Sequence, residues 1–244
     1  MRSFLIILAI TVFMFSCKKE NMGDCFKSTG LVQREVRITE PFDSLVIHKR
    51  MNLILIEDSI DFVEIEAGNK LLENIISENK FGTLTIENTN TCNWVRSYKI
   101  PVNIYLHYTK LQKILVLGSS QISNTDSLQR DSMFIELRDA AGDVNLTVSN
   151  KYLFIAQHTG ASDVTIKGRT IDLSVYSSDL GYGDYLKLAA ENVFAESNSV
   201  ADNYFNASET IRLITRNKGS IYYTGEAEVL LKDRKGEGTI SRIY

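Results

Sequence analysis

The amino-acid sequence predicts an all-β protein whose larger part is a parallel β-solenoid. Three observations support this fold class. From Leu31 onward, short segments alternate apolar and polar residues, a pattern typical of half-buried strands. In the second half, a phrase of about twenty residues recurs about six times, and repeats of that length indicate coils that stack on one another. Asn-Gly hairpin turns, which would favour an antiparallel meander, are absent from the sequence.

Residues 1–30 have the features of an export signal and a tether. Arg2 precedes an apolar run at residues 4–15, which is too short to span a bilayer and has the length of a signal-peptide core. The following "MFSC" is similar to a bacterial lipobox, in which a small residue stands before the cysteine that becomes lipidated. We therefore expect a signal peptide at 1–16, then a lipidated Cys17 and a polar tether at 17–30. An ordinary signal peptide that contains a cysteine is the alternative.

Two cysteines, Cys25 and Cys92, remain once Cys17 is used for lipidation. An even number of cysteines in an exported protein allows one disulfide, which would join the tether to the body of the protein. Two free thiols would look the same in sequence, so both alternatives stay open at this point.

The segment at 31–110 is predicted to supply N-terminal strands that pack on the solenoid or cap it. Its candidate strands are "LVQREVRI", "DSLVIHK", "MNLILIE", "DFVEIEA", "GTLTIEN" and "KIPVNIYLHY". Between them, "NKLLENIISEN" at 69–79 has leucines and isoleucines at helical spacing, and Asn69 suits an N-cap. This stretch is predicted as a single short helix or turn.

The solenoid repeats are predicted over 111–244, so that 31–244 forms one continuous domain. One series of inward-facing positions has even spacings, which keep the same face towards the core; it consists of Leu115, Ile135, Leu153, Leu173, Val193, Leu213 and Leu231. A second series follows small or polar residues and consists of Ile122, Val144, Val164, Leu180, Val200, Ile221 and Ile240. Glycines between the strands, such as Gly142 and Gly160, suit sharp corners that lie directly above one another.

Several of these segments resemble the putative auto-transporter adhesin family with the head GIN domain, which is found largely in lipoproteins of Bacteroidetes. The resemblance runs from about Gly30 to Ile243. It rests on the start "EVRITEPFDSLVIHKRMNLILIEDS", on "LQKILVLGSSQI" and on the ending "ASETIRLITRNKGSIYYTGEAEVLLKDRKGEGTI". Arg216, Asn217 and Lys218 depart from the small residues usual before the corner at Gly219. The resemblance implies a right-handed parallel β-helix-like fold, but little chemistry.

The sequence contains no pattern that requires catalysis, a cofactor or a metal. Asp143, Asp163 and Asp179 stand at similar places in successive repeats, so they are expected to form an acidic row of corner residues. The three histidines lack the paired spacing of a zinc site. A carbohydrate-active β-helix enzyme that acts on a polysaccharide remains the alternative, since such chemistry uses clustered carboxylates.

Tyrosines are concentrated in the later repeats and are the best candidates for a binding face. Aligned on one side of a solenoid, they could stack against sugars or contact another protein; the set consists of Tyr176, Tyr182, Tyr185, Tyr204, Tyr222 and Tyr223. The simpler interpretation is that they stabilise neighbouring coils.

The expected function is that of a cell-envelope lipoprotein without catalysis, which acts as a scaffold or an adhesin-like binding surface. The expected partners are a membrane, through the N-terminal lipid anchor, and a glycan or protein ligand; homo-oligomers are compatible with the sequence. The expected location is the outer membrane. Nucleic acid is not expected to bind, because the net charge is -3 and the basic residues form no stripe. A purely mechanical spacer is the third hypothesis.

Overall fold

The computed structural model describes residues 29–90 and 101–244, which form a β-solenoid of about six turns. The signal peptide, the lipidation site Cys17, Cys25 and Cys92 lie outside the described residues. The described residues form seventeen strands: β1 (Val32–Ile38), β2 (Ser44–His48), β3 (Asn52–Glu57), β4 (Phe62–Gly68), β5 (Ile75–Lys80), β6 (Thr83–Asn88), β7 (Asn103–Tyr108), β8 (Lys113–Leu117), β9 (Gln121–Asn124), β10 (Leu128–Arg138), β11 (Asp143–Gln157), β12 (Asp163–Asp179), β13 (Tyr182–Ser199), β14 (Asn203–Thr215), β15 (Ile221–Thr224), β16 (Glu228–Arg234) and β17 (Ile240–Arg242).

The solenoid has two main sides, which we call sheet one and sheet two. Sheet one runs in the order β5, β6, β2, β8, β10, β11, β12, β13, β14 and β16. Sheet two runs in the order β1, β4, β7, β3, β9, β11, β12, β13, β14, β15 and β17. The long strands β11 to β14 bend and so belong to both sides. From β6 and β7 onward, neighbours within each sheet pair in parallel, as predicted.

The N-terminal strands do more than cap the solenoid, because two of them form a coil inside it. Strands β2 and β3 form one coil, and later strands lie on either side of them. On one side lies the coil made of β6 and β7, and on the other side lies the coil made of β8 and β9. The predicted division between 31–110 and 111–244 is therefore not a boundary in the structure.

Antiparallel strands close the N-terminal end. Strand β5 pairs antiparallel with β6, and β4 pairs antiparallel with β7 and with β1. Across the end of the core, the guanidinium of Arg37 on β1 donates to the carbonyl oxygen of Leu72 over 3.1 Å and to that of Ile75. This arrangement confirms that N-terminal strands cap the solenoid.

The helix expected at 69–79 is only partly present. A single 3-10 turn covers Leu72–Asn74, and the next residues form strand β5. The reason is tertiary, since Ile75 is buried in the common core and the whole of β5 pairs with β6. The β5–β6 connection is also a tight hairpin, closed by Phe81 and Gly82, both with positive φ. Sequence reasoning missed this hairpin because it searched for Asn-Gly.

One continuous core runs through the coils. Ile135, Leu173 and Leu213 all belong to it, which confirms that equivalent apolar side chains stack along one axis. In sheet one, the stacked positions follow the register Ile114, Ile135, Ile155, Val175, Ala195 and Leu213. In sheet two, they follow the register Ile122, Val144, Val164, Gly183, Asn203, Ile221 and Ile240.

Four predicted core positions are wrong. Leu180 and Val200 lie at turns and are 48% and 44% exposed, because Gly183 and Asn203 occupy the inward positions instead. Leu231 is 39% exposed, since the register shifts between β14 and β16. Leu115 faces away from the core, which Ile114 and Val116 enter. The errors at Leu115 and Leu231 come from assuming even spacings across irregular registers, and those at Leu180 and Val200 from placing a core residue directly after each small or polar corner.

The corner glycines allow the close stacking of successive coils. A Cβ atom on Gly142 would lie 1.9 Å from the carbonyl oxygen of Ser120, and one on Gly160 would lie 2.0 Å from that of Ala140. Gly160 also has a φ of +105°, which residues with a side chain rarely adopt.

The described residues, 29–90 and 101–244, contain no helical segment with the length and hydrophobicity needed to span a bilayer.

Candidate binding surfaces

Three of the six predicted tyrosines form a ladder on the outer face of sheet two. Tyr182, Tyr204 and Tyr222 come from strands β13, β14 and β15, and each is partly exposed. Their ring centroids are 5.9 Å apart between Tyr182 and Tyr204, and 5.0 Å apart between Tyr204 and Tyr222. Parallel pairing places Tyr204 directly beside Tyr222, while Tyr182 lies two positions before Asp184, the residue of β13 that pairs with Tyr204.

The other three tyrosines do not join this ladder. Tyr185 and Tyr223 are buried, with 0% and 5% exposure, and the Tyr185 ring stacks on Phe205 inside the core. Tyr176 lies in the sheet-one part of β12, where its ring contacts that of His158. Adjacent tyrosines such as Tyr222 and Tyr223 must point to opposite sides of a strand, so the six could not share one face.

The ladder's geometry decides how it could contact a ligand. The planes of Tyr204 and Tyr222 are only 19° apart, so each ring covers one face of its neighbour. A sugar that stacks on an aromatic side chain needs an open ring face. Between these two rings the accessible parts are therefore edges and hydroxyl groups, which favours hydrogen bonding over sugar stacking.

The acidic row forms only in part. Asp143 and Asp163 lie side by side on β11 and β12, but the next residue in that register is Tyr182. Asp179 lies at the other end of β12 beside Ser199, and its carboxylate accepts a hydrogen bond of 2.9 Å from the backbone N–H of Gly160. Asp179 is thus a corner residue, as expected, but it is not part of a row with Asp143 and Asp163.

Two further aspartates, which sequence reasoning missed, flank the tyrosine ladder. Asp184 pairs in register with Tyr204, and Asp202 precedes Asn203, which pairs with Gly183. Their carboxylates accept backbone hydrogen bonds, Asp184 from Leu186 and Asp202 from Ser220. The irregular spacing of these aspartates concealed them. We call the resulting surface the polar–aromatic face; it consists of Asp143, Asp163, Tyr182, Asp184, Asp202, Tyr204 and Tyr222.

Within the described ranges, ion pairs do not neutralise the carboxylates of this face. In the part of the chain that the structure describes, no lysine, arginine or histidine forms an ion pair with Asp143, Asp163, Asp184 or Asp202. Partial burial, together with Asp143, raises the pKa of Asp163. Partial burial and the nearby carboxylates also raise the pKa values of Tyr182 and Tyr204. The face therefore carries negative charge and protonated phenols at neutral pH.

A groove of about 710 Å³ follows the bend between the two sheets. It crosses the five successive strands β10 to β14, at positions near 130, 150, 170, 190 and 207, and small residues such as Ala189 line it. Arg169 lies there and donates to the hydroxyl of Ser149 over 2.9 Å. The Oδ1 atom of Asn150 is buried and accepts no hydrogen bond from the described residues. Polar residues recur about every twenty positions along this groove, at Arg130, Asn150 and Thr170, and this recurrence is the sequence signal that could have indicated it.

The titratable residues outside these surfaces do not assemble a metal site. Within the described ranges, no three histidine, cysteine, aspartate or glutamate side chains are placed to hold a metal ion. His107 pairs with Asp58 at 2.9 Å and stacks on Phe62 with centroids 3.9 Å apart. His158 lies 3.6 Å from a carboxylate oxygen of Glu136. Both histidines therefore have structural partners on the strand faces.

Comparison with solved structures shows the same fold in other bacterial proteins. A putative adhesin from Bacteroides fragilis is 23% identical, with a TM-score of 0.79 over 87% of this chain and 97% of that one. A putative adhesin from Parabacteroides merdae is 14% identical, with a TM-score of 0.66 over 89% and 98% of the two chains. A protein from Parabacteroides distasonis, described as a putative lipid binding protein, is 14% identical, with a TM-score of 0.60 over 86% and 97%.

Sequence comparison identifies the family. No curated protein gives a sequence match to this chain. The profile of one family, described as putative auto-transporter adhesin, head GIN domain, matches residues 41–227. This match covers most of the solenoid, from the start of β2 to the coil that contains β15. The chain therefore belongs to the family of putative auto-transporter adhesins with the head GIN domain.

Proposed function

We propose that the protein is a cell-envelope lipoprotein, held in the outer membrane by an acylated Cys17, whose non-catalytic solenoid presents a binding surface. The observation that carries the proposal is the polar–aromatic face. It combines a ladder of tyrosine hydroxyls with four carboxylates that have no cationic partner among the described residues. Polar and aromatic groups that are accessible on a rigid scaffold, with carboxylates that lack ionic partners, are typical of recognition surfaces.

The chemistry of the face defines the ligand that it would accept. Carboxylates are acceptors only, and phenol hydroxyls both donate and accept hydrogen bonds. A ligand rich in O–H, N–H or ammonium groups is therefore favoured, such as a glycan or the basic surface of another protein. A polyanion is disfavoured, because Asp143, Asp163, Asp184 and Asp202 would repel it.

The envelope location is supported by the family and by the N-terminal sequence. The family and its structural relatives are described as putative adhesins, and one relative is described as a putative lipid binding protein. The lipobox-like "MFSC" at 14–17 supports acylation. Together these features favour a protein that is tethered to a membrane and contacts a ligand from there.

Binding by the polar–aromatic face is tested with a matched pair of aromatic variants. Tyr204→Ala removes the central rung of the ladder, while Phe194→Ala removes a 40%-exposed aromatic side chain from the outer face of sheet one. On arrays of glycans and of envelope proteins, we expect Tyr204→Ala to lose at least about thirtyfold in affinity, because a hot-spot residue contributes about 2 kcal/mol or more. Phe194→Ala should bind like the parent. Equal binding by both variants contradicts the proposal, and so does the absence of any saturable binding by the parent.

Anchoring is tested at Cys17. With a fatty-acid analogue supplied to the cells, the parent should incorporate the label and fractionate with the outer membrane. Cys17→Ala should lose both the label and the outer-membrane fraction. If the variant stays in that fraction without label, the anchor lies elsewhere and the lipoprotein part of the proposal is wrong.

A glycan-cleaving enzyme is the second candidate, and one observation favours it. Asp143 and Asp163 lie on adjacent strands, and burial together with Asp143 raises the pKa of Asp163, as a general acid requires. Strand spacing places such side chains about 5 Å apart, which is within the range of retaining glycosidases. Release of reducing ends from polysaccharides by the parent, and its loss in Asp163→Asn, would establish this activity. Binding without release supports the non-catalytic proposal.

A further inference from the structure

The most exposed apolar side chains gather at the N-terminal end of the solenoid. Apart from the terminal Tyr244, every large hydrophobic residue of the described ranges that is more than half exposed lies between positions 31 and 81. We call this set the N-terminal apolar rim; it consists of Leu31 (79%), Val32 (55%), Val36 (56%), Ile38 (78%), Ile60 (57%) and Phe81 (107%). Exposed apolar residues that cluster in this way mark a contact surface.

Backbone contacts in the cap link the segments that carry the rim. Val32, Val36 and Ile38 alternate along β1, the outermost strand of sheet two, and so share its outer face with Arg34, whose charge is paired with Glu64 and Glu66. The backbone N–H of Thr39 donates to the carbonyl oxygen of Asp61 over 3.4 Å, which joins the chain after Ile38 to the connection that carries Ile60. The side-chain amide of Asn79, in the hairpin that carries Phe81, donates to the carbonyl oxygen of Glu40 over 2.7 Å.

Phe81 is a second, independent indication that this rim has a role. It occupies the first position of a two-residue hairpin turn, with φ of +53° at Phe81 and +78° at Gly82. That conformation favours asparagine or aspartate and is strained for a bulky residue. Full exposure to water disfavours phenylalanine there as well. The backbone conformation and the exposure to water are thus both unfavourable for phenylalanine at this position. We infer that Phe81 makes a favourable contact with a surface outside the folded chain.

The chain enters the structure at this same end. Thr29 and Gly30 lead directly into β1, and Thr29 lies against Gly68 of β4. The segment between Cys17 and Thr29 reaches about 40 Å at full extension, by the limit of about 3.5 Å per residue. A lipid on Cys17 therefore limits the distance between this end of the solenoid and the bilayer to about that length.

We propose that the N-terminal apolar rim rests on the surface of the lipid bilayer, so that the solenoid stands on its cap with its axis pointing away from the membrane. The inference rests on the proposed lipid anchor and adds the orientation that the anchored protein takes. Aliphatic and aromatic side chains that enter the boundary of the acyl chains add to the affinity of a lipid anchor. The polar–aromatic face, which is formed by later coils, would then extend away from the bilayer.

The alternative occupant, a second copy of the chain, is less compatible with the rim. Strand β1 carries Arg34, Glu35 and Arg37, and charges along an edge strand disfavour pairing with another chain. Acidic residues outnumber basic ones between Thr29 and Asn90, so electrostatic attraction to anionic lipids is not expected to contribute. The contact with lipid should therefore persist at high salt.

The orientation is tested by tryptophan quenching on vesicles. The acylated mature protein, which contains only Trp94, is reconstituted into phosphatidylcholine vesicles whose acyl chains carry bromine. Phe81→Trp is compared with Leu230→Trp, which places the same probe on β16 at the opposite end. We expect bromolipid to quench the added emission of Phe81→Trp at least about twofold, and to leave that of Leu230→Trp unchanged.

The outcomes separate the orientation from the anchor. If the protein floats with the vesicles but Phe81→Trp is quenched no more than Leu230→Trp, the orientation is wrong and the anchor stands. If the acylated protein does not float with the vesicles, both the lipid anchor and the orientation are contradicted. As a second variant, Phe81→Asn relieves the turn and should fold at least as stably as the parent. If this variant dissociates from vesicles no faster than the parent, the rim does not contact lipid.

Discussion

At the scale of single residues, the corner glycines are the most constrained positions of the solenoid. Gly160 has a positive φ, and a carbonyl oxygen lies 2.0 Å from where its Cβ atom would be. A side chain at this position would therefore cause both backbone strain and a steric clash. Gly82 has a positive φ of similar kind, but no atom lies within 4 Å of its Cβ position. The two glycines thus separate the cost of backbone strain from the cost of coil stacking.

We predict that Gly160→Ala lowers the free energy of unfolding by about 3 kcal/mol or more, since neighbouring backbone must move. Gly82→Ala should cost only about 1–2 kcal/mol, which is the price of a left-handed conformation for an L-residue. Urea unfolding of the two variants and the parent provides the comparison. Equal losses would mean that stacking of the corners contributes little.

Tyr185 is a buried residue whose unpaired hydroxyl group lowers the stability of the folded state. Its Oη atom makes no hydrogen bond to the described residues, while its ring stacks on Phe205 with centroids 5.1 Å apart. Burial raises the pKa of Tyr185 above its usual value of 10, with Asp184 as a smaller cause. Because the folded pKa is raised, the folded state loses stability as the pH rises above about 10, where the unfolded tyrosine ionises.

Tyr185→Phe is therefore expected to stabilise the protein. Removal of a buried, unpaired hydroxyl should raise the free energy of unfolding by about 1 kcal/mol at pH 8. The gain should grow between pH 10 and 11, since phenylalanine cannot ionise. Denaturant unfolding at the two pH values measures both effects. A loss of stability at pH 8 would show that the hydroxyl has a partner in solution.

At the scale of the strands, the alternation of apolar and polar residues predicted where the strands lie better than it predicted which residues pair between them. The stacking of Val144 on Val164 follows the expected spacing of twenty residues. The next inward residues are Gly183 and Asn203, because β12 and β13 shift register between Thr165 and Gly168. Irregularities of this kind depend on packing between coils and leave no simple sequence signal. Other misses have simpler causes: Tyr222 and Tyr223 alternate between the two faces of β15, and Asp179 lies at the opposite end of β12 from Asp163.

Strand β16 shows how the C-terminal edge is protected. Lys232 pairs in register with the buried Leu213, and so lies on the core side of the strand, where its ammonium is 4.6 Å from the ring centroid of Tyr223. Its neighbours Val229, Leu230 and Leu231 are about 40% exposed. An inward-pointing charge and an irregular register both disfavour the addition of another strand.

We predict that Lys232→Val makes the protein self-associate, because it extends the apolar surface of an open edge. Lys235→Val serves as the control, since Lys235 follows the strand and pairs with Asp233 at 3.0 Å. Light scattering with size-exclusion chromatography should show dimers or larger species for the first variant only. A monomeric Lys232→Val would mean that the bend of β16 alone protects the edge.

At the scale of the whole molecule, the N-terminal strands and the repeats form a single body. The coil made of β2 and β3 lies between two coils that come later in the chain. The sequence predicted strands in both halves and one continuous domain, but not this order. In this order, later strands pair with both edges of an earlier coil, so residues distant in sequence are paired, such as Leu53 with Ile104 and with Ile122. A periodic pattern in the sequence does not encode such pairings.

The central claim is that the anchored solenoid stands on its N-terminal cap, and the height of the protein above a bilayer tests it most directly. Sheet two contains eleven strands in succession, from β1 to β17. At about 4.8 Å per strand, these span about 48 Å along the axis. Atomic force microscopy of the acylated protein on a supported bilayer should therefore show particles about 50 Å high. Particles only about 20 Å high, the thickness of two packed sheets with their side chains, would mean that the solenoid lies flat and would contradict the claim.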